Sequence, residues 1–201
     1  YQLIMPEMGK SMYANHAFKE TRTDLKNALS RIWFRDTLVR YLQDSMHVLL
    51  PSQMNGVCGI SSGGRGAALT AMDLPEVFKV AVALSGDFNP SLLESDNLMN
   101  LFYGKFTLHK QRWLDNDNVY NAASSFQVPI LLLHGVKDNV VSVKQSTSFY
   151  EELKRVNPSL RVELVVDSNA AHTYSYWGKQ TEEIISFIEQ VSEAKKEPKK
   201  R

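Results

Sequence analysis

Gly59-Ile60-Ser61-Ser62-Gly63-Gly64 decides how this chain is read. An apolar pair, Val57 and Cys58, precedes it, and a run of small residues, Gly66-Ala67-Ala68-Leu69, follows. The order is strand, sharp turn, helix, with a serine at the apex, which is the G-x-S-x-G pattern of a nucleophile elbow. A turn that tight leaves no room for side chains beside the serine, which accounts for the flanking glycines. The Ser62 backbone N–H opens the following helix and points at an oxyanion developing next to Ser61. An ordinary Gly/Ser turn shares the pattern by chance, so the rest of the chain has to supply the partners that an elbow needs.

Those partners are an acid and then a histidine, in that order. Val128-Pro-Ile-Leu-Leu-Leu-His-Gly135 reads as a buried strand that breaks at glycine, and Asp138 follows in the loop. A second strand, 161–166, leads through Asp167-Ser-Asn-Ala-Ala171 to His172. A serine hydroxyl is a weak nucleophile until a base takes its proton. A histidine, with an ordinary pKa of about 6.5, accepts that proton and later returns it to the leaving group. A carboxylate fixes the histidine tautomer and stabilises its charged form. The chain order therefore assigns Ser61 as nucleophile, Asp138 as acid and His172 as base. Asp138 also reads as a cap for the helix starting near Ser142. Asp167 competes as the acid, but it stands five residues before His172 and shares its loop. His16, His47 and His109 lie in less suitable segments, and His134 reads as packing at the end of its strand.

The remaining segments alternate. Residues 24–46 carry Leu25, Ala28, Leu29 and Ile32 at helical spacing; the stripe fails at Arg35-Asp36 and resumes with Leu38, Val39 and Leu42, so a kink or two helices are expected. A buried strand is expected over 78–85, and helices over 143–156 and 179–193. Strands alternating with helices predict an α/β fold, a mainly parallel sheet with helices on both faces. Residues 87–125 interrupt the alternation as a helical excursion. Its apolar residues read first as packing, with acyl binding as the alternative. Asp115 and Asp117 lack the glycine and terminal glutamate of a calcium loop, so no metal site is read here. Tyr13 and Trp177 are candidates for lining the mouth of the site, each equally readable as packing.

The chain has 201 residues and 43% hydrophobic content, enough for one domain with a core. No stretch approaches the roughly 18 apolar residues of a membrane span. The single Cys58 excludes an internal disulfide and, on the strand feeding the elbow, reads as a buried structural thiol. The tail from 194 to 201 carries net +4, which leaves the body at −3 within the chain's overall +1. That tail reads as a solvated, disordered end to a domain spanning 1–193. No basic stripe with interleaved aromatics suggests nucleic acid. The triad needs no cofactor, and composition does not fix a compartment.

Four segments carry a resemblance. They are Ile4-Met-Pro-Glu-Met-Gly-Lys-Ser-Met-Tyr13, Gly59-Ile-Ser-Ser-Gly-Gly-Arg-Gly-Ala67, Val82-Ala-Leu-Ser-Gly86, and the pair His134-Gly-Val-Lys-Asp138 with His172-Thr-Tyr-Ser-Tyr-Trp177. Together they resemble the esterase D family of α/β-hydrolases, which includes S-formylglutathione hydrolases, feruloyl esterases and mycolyltransferase-like proteins. The resemblance implies the α/β-hydrolase fold and cleavage of a small-molecule carboxylic ester or thioester through an acyl-enzyme on Ser61, His172 and Asp138. In that family several strands precede the segment matching Tyr1–Met5, and a loop among them supplies a second oxyanion donor. This chain is therefore expected to open inside a strand, with the earlier strands outside it and an exposed sheet edge that invites self-association. Two alternatives stand beside the esterase. One resembles the catalytic domain of prolyl oligopeptidases, where a proline-initiated strand and a His-Gly-x-x-Asp segment also occur, although Ile60 and Ser62 stand where that family usually has an aromatic residue beside the serine. The other is a hydrolase-fold remnant without catalysis.

Overall fold

Apolar runs that must be covered on both faces become parallel strands, and the amphipathic segments between them become the cover. The computed structural model describes residues 1–9 and 11–196. Residues 1–9 form exposed coil and not the strand expected over Tyr1–Met5, because β-structure requires a ladder partner and none lies beside them. The Tyr1 hydroxyl instead donates to the Glu189 carboxylate (3.1 Å). A short turn at Thr23–Leu25 precedes α1 (Ser30–Ile32), so the helix expected from residue 24 begins at 30. A π-helical stretch, Trp33–Leu38, then joins α1 to α2 (Val39–Met46). The break in the apolar stripe at Arg35-Asp36 falls inside that stretch, where the wider turn rephases the helix and lets Val39 and Leu42 face inward.

The sheet follows. β1 (Asn55–Ile60) feeds α3 (Ser62–Asp73), and β2 (Phe78–Leu84) leads into the excursion. The excursion carries α4 (Asn97–Tyr103) and α5 (Phe106–Asp115). After it come β3 (Ile130–Gly135), α6 (Lys144–Val156), β4 (Val162–Asp167), α7 (Tyr174–Gly178) and α8 (Thr181–Lys196). All pairings are parallel, in the order β1-β2-β3-β4. The register sets Ala83 beside Leu132 and Leu133 beside Val165.

Both faces are covered, as expected of an α/β-hydrolase sheet. Ala68 and Leu69 of α3 and Phe149 and Leu153 of α6 pack on Ala81, Ala83, Ile130 and Leu132. Trp177 of α7 and Phe187 and Val191 of α8 pack on Val80, Val82, Leu131 and Leu133. Burial on both sides is why β3 is apolar at every position from Ile130 to Leu133. β1 lies at the edge of the sheet, where Ile188 of α8 comes near Gly56. Cys58 is consequently exposed, not the buried thiol expected from the apolar run around it. Met99, Phe102, Tyr103 and Trp113 of the excursion pack inward against Met12, Ala14 and Leu25, while Leu92 and Leu108 stay exposed. α8 continues through Lys196, beyond the helix end expected at 193, and residues 197–201 of the tail lie outside the described residues. No helix among the described residues is long and apolar enough to cross a membrane.

The β1–α3 crossing is the tightest point. A Cβ on Gly59 would stand 1.9 Å from the Gly63 carbonyl oxygen, and one on Gly64 would stand 2.9 Å from the Gly86 Cα. At Gly63 itself a Cβ would meet only the Tyr13 hydroxyl, at an ordinary 3.6 Å. The two glycines flanking the serine are therefore not equivalent. Gly59→Ala is expected to lower unfolding free energy by about 3 kcal/mol through overpacking against backbone that cannot swing away. Gly63→Ala, in the first turn of a helix with room for the methyl, is expected to leave stability unchanged or raise it by up to about 1 kcal/mol. Chemical denaturation of the two variants checks the contrast; equal losses would contradict it.

Candidate active site

Ser61 stands where β1 ends, with φ 57° and ψ −126°, a conformation that L-residues rarely adopt. Two backbone hydrogen bonds hold it there. Its N–H donates to the Leu84 carbonyl on β2 (2.8 Å), and its own carbonyl accepts from Gly64 N–H (2.8 Å). Ser62 is the first residue of α3, so its N–H has no acceptor within the helix and lies at the positive end of the helix dipole.

The other two residues arrive from the C-terminal ends of neighbouring strands. Asp138 sits in the loop after β3 and His172 in the loop between β4 and α7. His172 Nδ1 is 2.6 Å from Asp138 Oδ2, and His172 Nε2 is 3.1 Å from Ser61 Oγ. An ionised carboxylate only accepts, so Nδ1 carries the proton and donates to Asp138, which leaves Nε2 as acceptor for the Ser61 hydroxyl. The three residues selected from chain order are thus brought into one hydrogen-bonded line.

Asp138 satisfies both of its sequence readings with different oxygens. Oδ2 meets His172, while Oδ1 accepts from the backbone N–H groups of Val140 (2.9 Å) and Val141 (2.8 Å). Desolvation alone would raise its pKa, but the hydrogen bonds from His172, Val141 and Val140 outweigh it and hold the carboxyl below the ordinary carboxylate range. His134 braces the same loop. Buried completely, its Nε2 donates to the Val141 carbonyl (2.9 Å) and its Nδ1 accepts from the Ser146 hydroxyl (2.7 Å). Burial pushes its pKa down and keeps it neutral. Asp167, the competing acid, accepts from Asn169 N–H and makes no contact with His172.

The two candidates for the mouth of the site are placed differently from each other. Tyr13 is half-buried at φ 50°, and its ring lies against α3 where a Cβ on Gly66 would meet it at 2.2 Å. Desolvation pushes its hydroxyl pKa up. Trp177 is 8% exposed and packs edge-on against the His172 ring, with centroids 4.9 Å apart.

A buried ion pair under the elbow was not anticipated. Arg65, wholly buried on α3, lies 3.2 Å from Asp87 and donates to the Met12 carbonyl (3.1 Å). Desolvation raises the Asp87 pKa even against the pull of Arg65. The available signal is a lone arginine in the small-residue run Ser61–Ala68, with an acid just past the next strand. Asp117, considered for a calcium loop, accepts from Arg31 (2.9 Å) and from the Tyr103 hydroxyl (2.9 Å). Among the described residues no cluster of three or more His, Cys, Asp or Glu is arranged to hold a metal.

Several solved structures share the fold. An acylaminoacyl peptidase of Pyrococcus horikoshii is 20% identical over 89% of this chain and 28% of its own length, with a TM-score of 0.62. A puromycin hydrolase is 17% identical over 87% of this chain and 26% of its own, with a TM-score of 0.67. Dipeptidyl peptidase 4 of Porphyromonas gingivalis is 17% identical over 67% of this chain and 19% of its own, with a TM-score of 0.60. This chain spans less than a third of the length of each. No curated protein sequence matches it. The sequence pattern of the prolyl oligopeptidase family matches residues 35–195, a span that contains Ser61, Asp138 and His172. That match overturns the esterase D resemblance and, with it, the carboxylic-ester reading. The elbow, the proline-initiated strand and the His-Gly-x-x-Asp segment occur in both families; of the four segments that carried the resemblance, Ile4–Tyr13 lies outside the matched span and the other three lie inside it. The chain belongs to the prolyl oligopeptidase family.

Proposed function

We propose that this chain is the catalytic part of a serine peptidase that cleaves an amide bond through an acyl-enzyme. The observation that carries the reading is the line Asp138–His172–Ser61, at 2.6 and 3.1 Å. Family membership supports an amide as the bond cleaved, and two of the related folds are named as a dipeptidyl peptidase and an acylaminoacyl peptidase.

The chemistry follows from the residues. Ser61 Oγ attacks the amide carbonyl as His172 Nε2 takes its proton. Asp138, ionised and buried, holds Nδ1–H and stabilises the imidazolium that forms. The carbonyl oxygen becomes an oxyanion, and the Ser62 N–H at the start of α3 donates to it. An amine is a poor leaving group until it is protonated, so His172 gives its proton to the departing nitrogen as the C–N bond breaks. Water then repeats the sequence on the acyl-enzyme and releases the acid.

Labelling with a fluorophosphonate probe, followed by peptide mapping, tests the reading. Attachment at Ser61 that disappears in Ser61→Ala, with turnover of an aminoacyl-proline anilide in preference to an acetyl ester, is the expected result. Folded protein that takes no label would instead identify a remnant without catalysis. Asp138→Asn keeps the shape but reverses one hydrogen-bonding role, and should slow labelling by about 10³–10⁴-fold. The same variant reports on stability against pH. The Asp138 carboxyl has a folded pKa below its unfolded value, so its ionisation stabilises the fold above the ordinary carboxylate range. That contribution is lost as the pH falls through the lowered value. The stability gap between wild type and Asp138→Asn should therefore be open at neutral pH and close under strong acid, as read by denaturation at a series of pH values.

A further inference from the structure

The residue that follows β2 is not neutral scaffold. Ser85 is completely buried and has φ 49°, a backbone conformation that glycine adopts without strain and serine does not. Such strain persists where the surroundings fix it, and it concentrates at functional sites. Ser85 N–H donates to the Leu133 carbonyl on β3 (2.8 Å), which pins the residue between the strands that lead to Ser61 and Asp138. Its hydroxyl, the one thing that serine offers here and glycine lacks, accepts the indole N–H of Trp177 (3.1 Å).

Trp177 then meets His172. The two rings are nearly perpendicular, at 86°, with centroids 4.9 Å apart. Tyr174 packs on the same indole at 5.1 Å and 84°. His172 itself lies in a loop, where no ladder or helix orients its ring. The Asp138 contact at Nδ1 sets one point of the imidazole but leaves rotation about that hydrogen bond free. A flat neighbour locked in place removes that rotation, and aromatic pairs favour this edge-to-face geometry. The lock comes from Ser85, because an indole N–H buried without an acceptor would be costly.

We infer that Ser85 and Trp177 are positioning residues for His172: the Ser85 hydroxyl anchors the indole, and the indole holds the imidazole at the tilt from which Nε2 reaches Ser61. The inference rests on His172 acting as the base. It also accounts for a serine in a left-handed conformation at a buried position.

The test compares wild type, Ser85→Ala, Trp177→Phe and the double variant. Two quantities are read well below each protein's melting temperature: the rate of fluorophosphonate attachment at Ser61, and the His172 imidazole resonances by NMR. Each single variant should slow attachment about tenfold, the scale of a small misplacement of a reacting group. Each should also shift the His172 signals. The double variant should be no slower than the slower single, because both substitutions remove the same contact. Rates within twofold of wild type with unmoved imidazole signals would overturn the proposal. So would single effects that multiply in the double variant. A wild type that takes no label would defeat the peptidase reading alone, and the imidazole signals would then decide the positioning role.

Discussion

Gly59 passes so close to the Gly63 carbonyl that no side chain fits between them, and the site's geometry follows from that contact. It forces β1 to end abruptly and α3 to start almost on top of it. Ser61, caught at the crossing, has to take up a left-handed backbone, which its hydrogen bonds to Leu84 and Gly64 make permanent. A serine on a relaxed turn would share its hydroxyl among rotamers and solvent. Here the apex is fixed relative to β2 on one side and the helix N-terminus on the other. The acid and the base then need only be delivered from the ends of the next two strands. Parallel order guarantees this, because all four strands finish at the same edge.

Beneath the elbow the chain buries charge. Arg65 projects from the glycine- and alanine-rich first half of α3 and meets Asp87 just after β2. Arg31 of α1 joins Asp73, at the end of α3, to Asp117 beyond α5. The two arginines therefore link α3 to the N-terminal helices and to the excursion. Such pairs add little net stability relative to apolar packing, yet removal of one partner costs about 3–5 kcal/mol because the other charge remains buried. The excursion is held in a position where both arginines are paired, Arg65 with Asp87 and Arg31 with Asp73 and Asp117. That position also brings Met12 and the preceding loop against α3, which is how Tyr13 comes to lie along the helix that begins at Ser62.

What was legible in the sequence was local or followed from chain order. The elbow showed itself through glycine spacing, β3 through an unbroken apolar run, and Asp138 and His172 through their places after strands. The features that escaped are set by distant partners. Ser85 and Trp177 stand 92 positions apart, and no local pattern connects them. Cys58 looked buried because its neighbours are apolar; its exposure goes with the place of β1 at the edge of the sheet, which no local pattern encodes. Tyr1–Met5 has strand composition, but a strand is a relation between two segments. The π-helical stretch was half visible, since the failing stripe at Arg35-Asp36 marked the place without naming the wider turn that resolves it.

The misassigned family has a physical cause as well. Acyl transfer from a serine demands the same few things whether the leaving group is an alcohol or an amine: a tight turn, a base at hydrogen-bonding distance and a carboxylate behind it. Motifs that encode these demands separate hydrolases from other folds and do not separate hydrolases from one another. The leaving group is discriminated by surfaces around the serine, built from residues that no short motif ties together. Here three of the four segments that carried the esterase resemblance, the elbow and the histidine segment among them, lie inside the span that the prolyl oligopeptidase pattern matches. Ile60 and Ser62, where an aromatic residue is usual, show how weakly a single position beside the nucleophile constrains the choice. What the chemistry fixes is the line from Asp138 to Ser61, and what the bond type needs beyond it is proton return to the leaving nitrogen. On the peptidase reading His172 makes that return only while its ring stays in register with both Asp138 and Ser61.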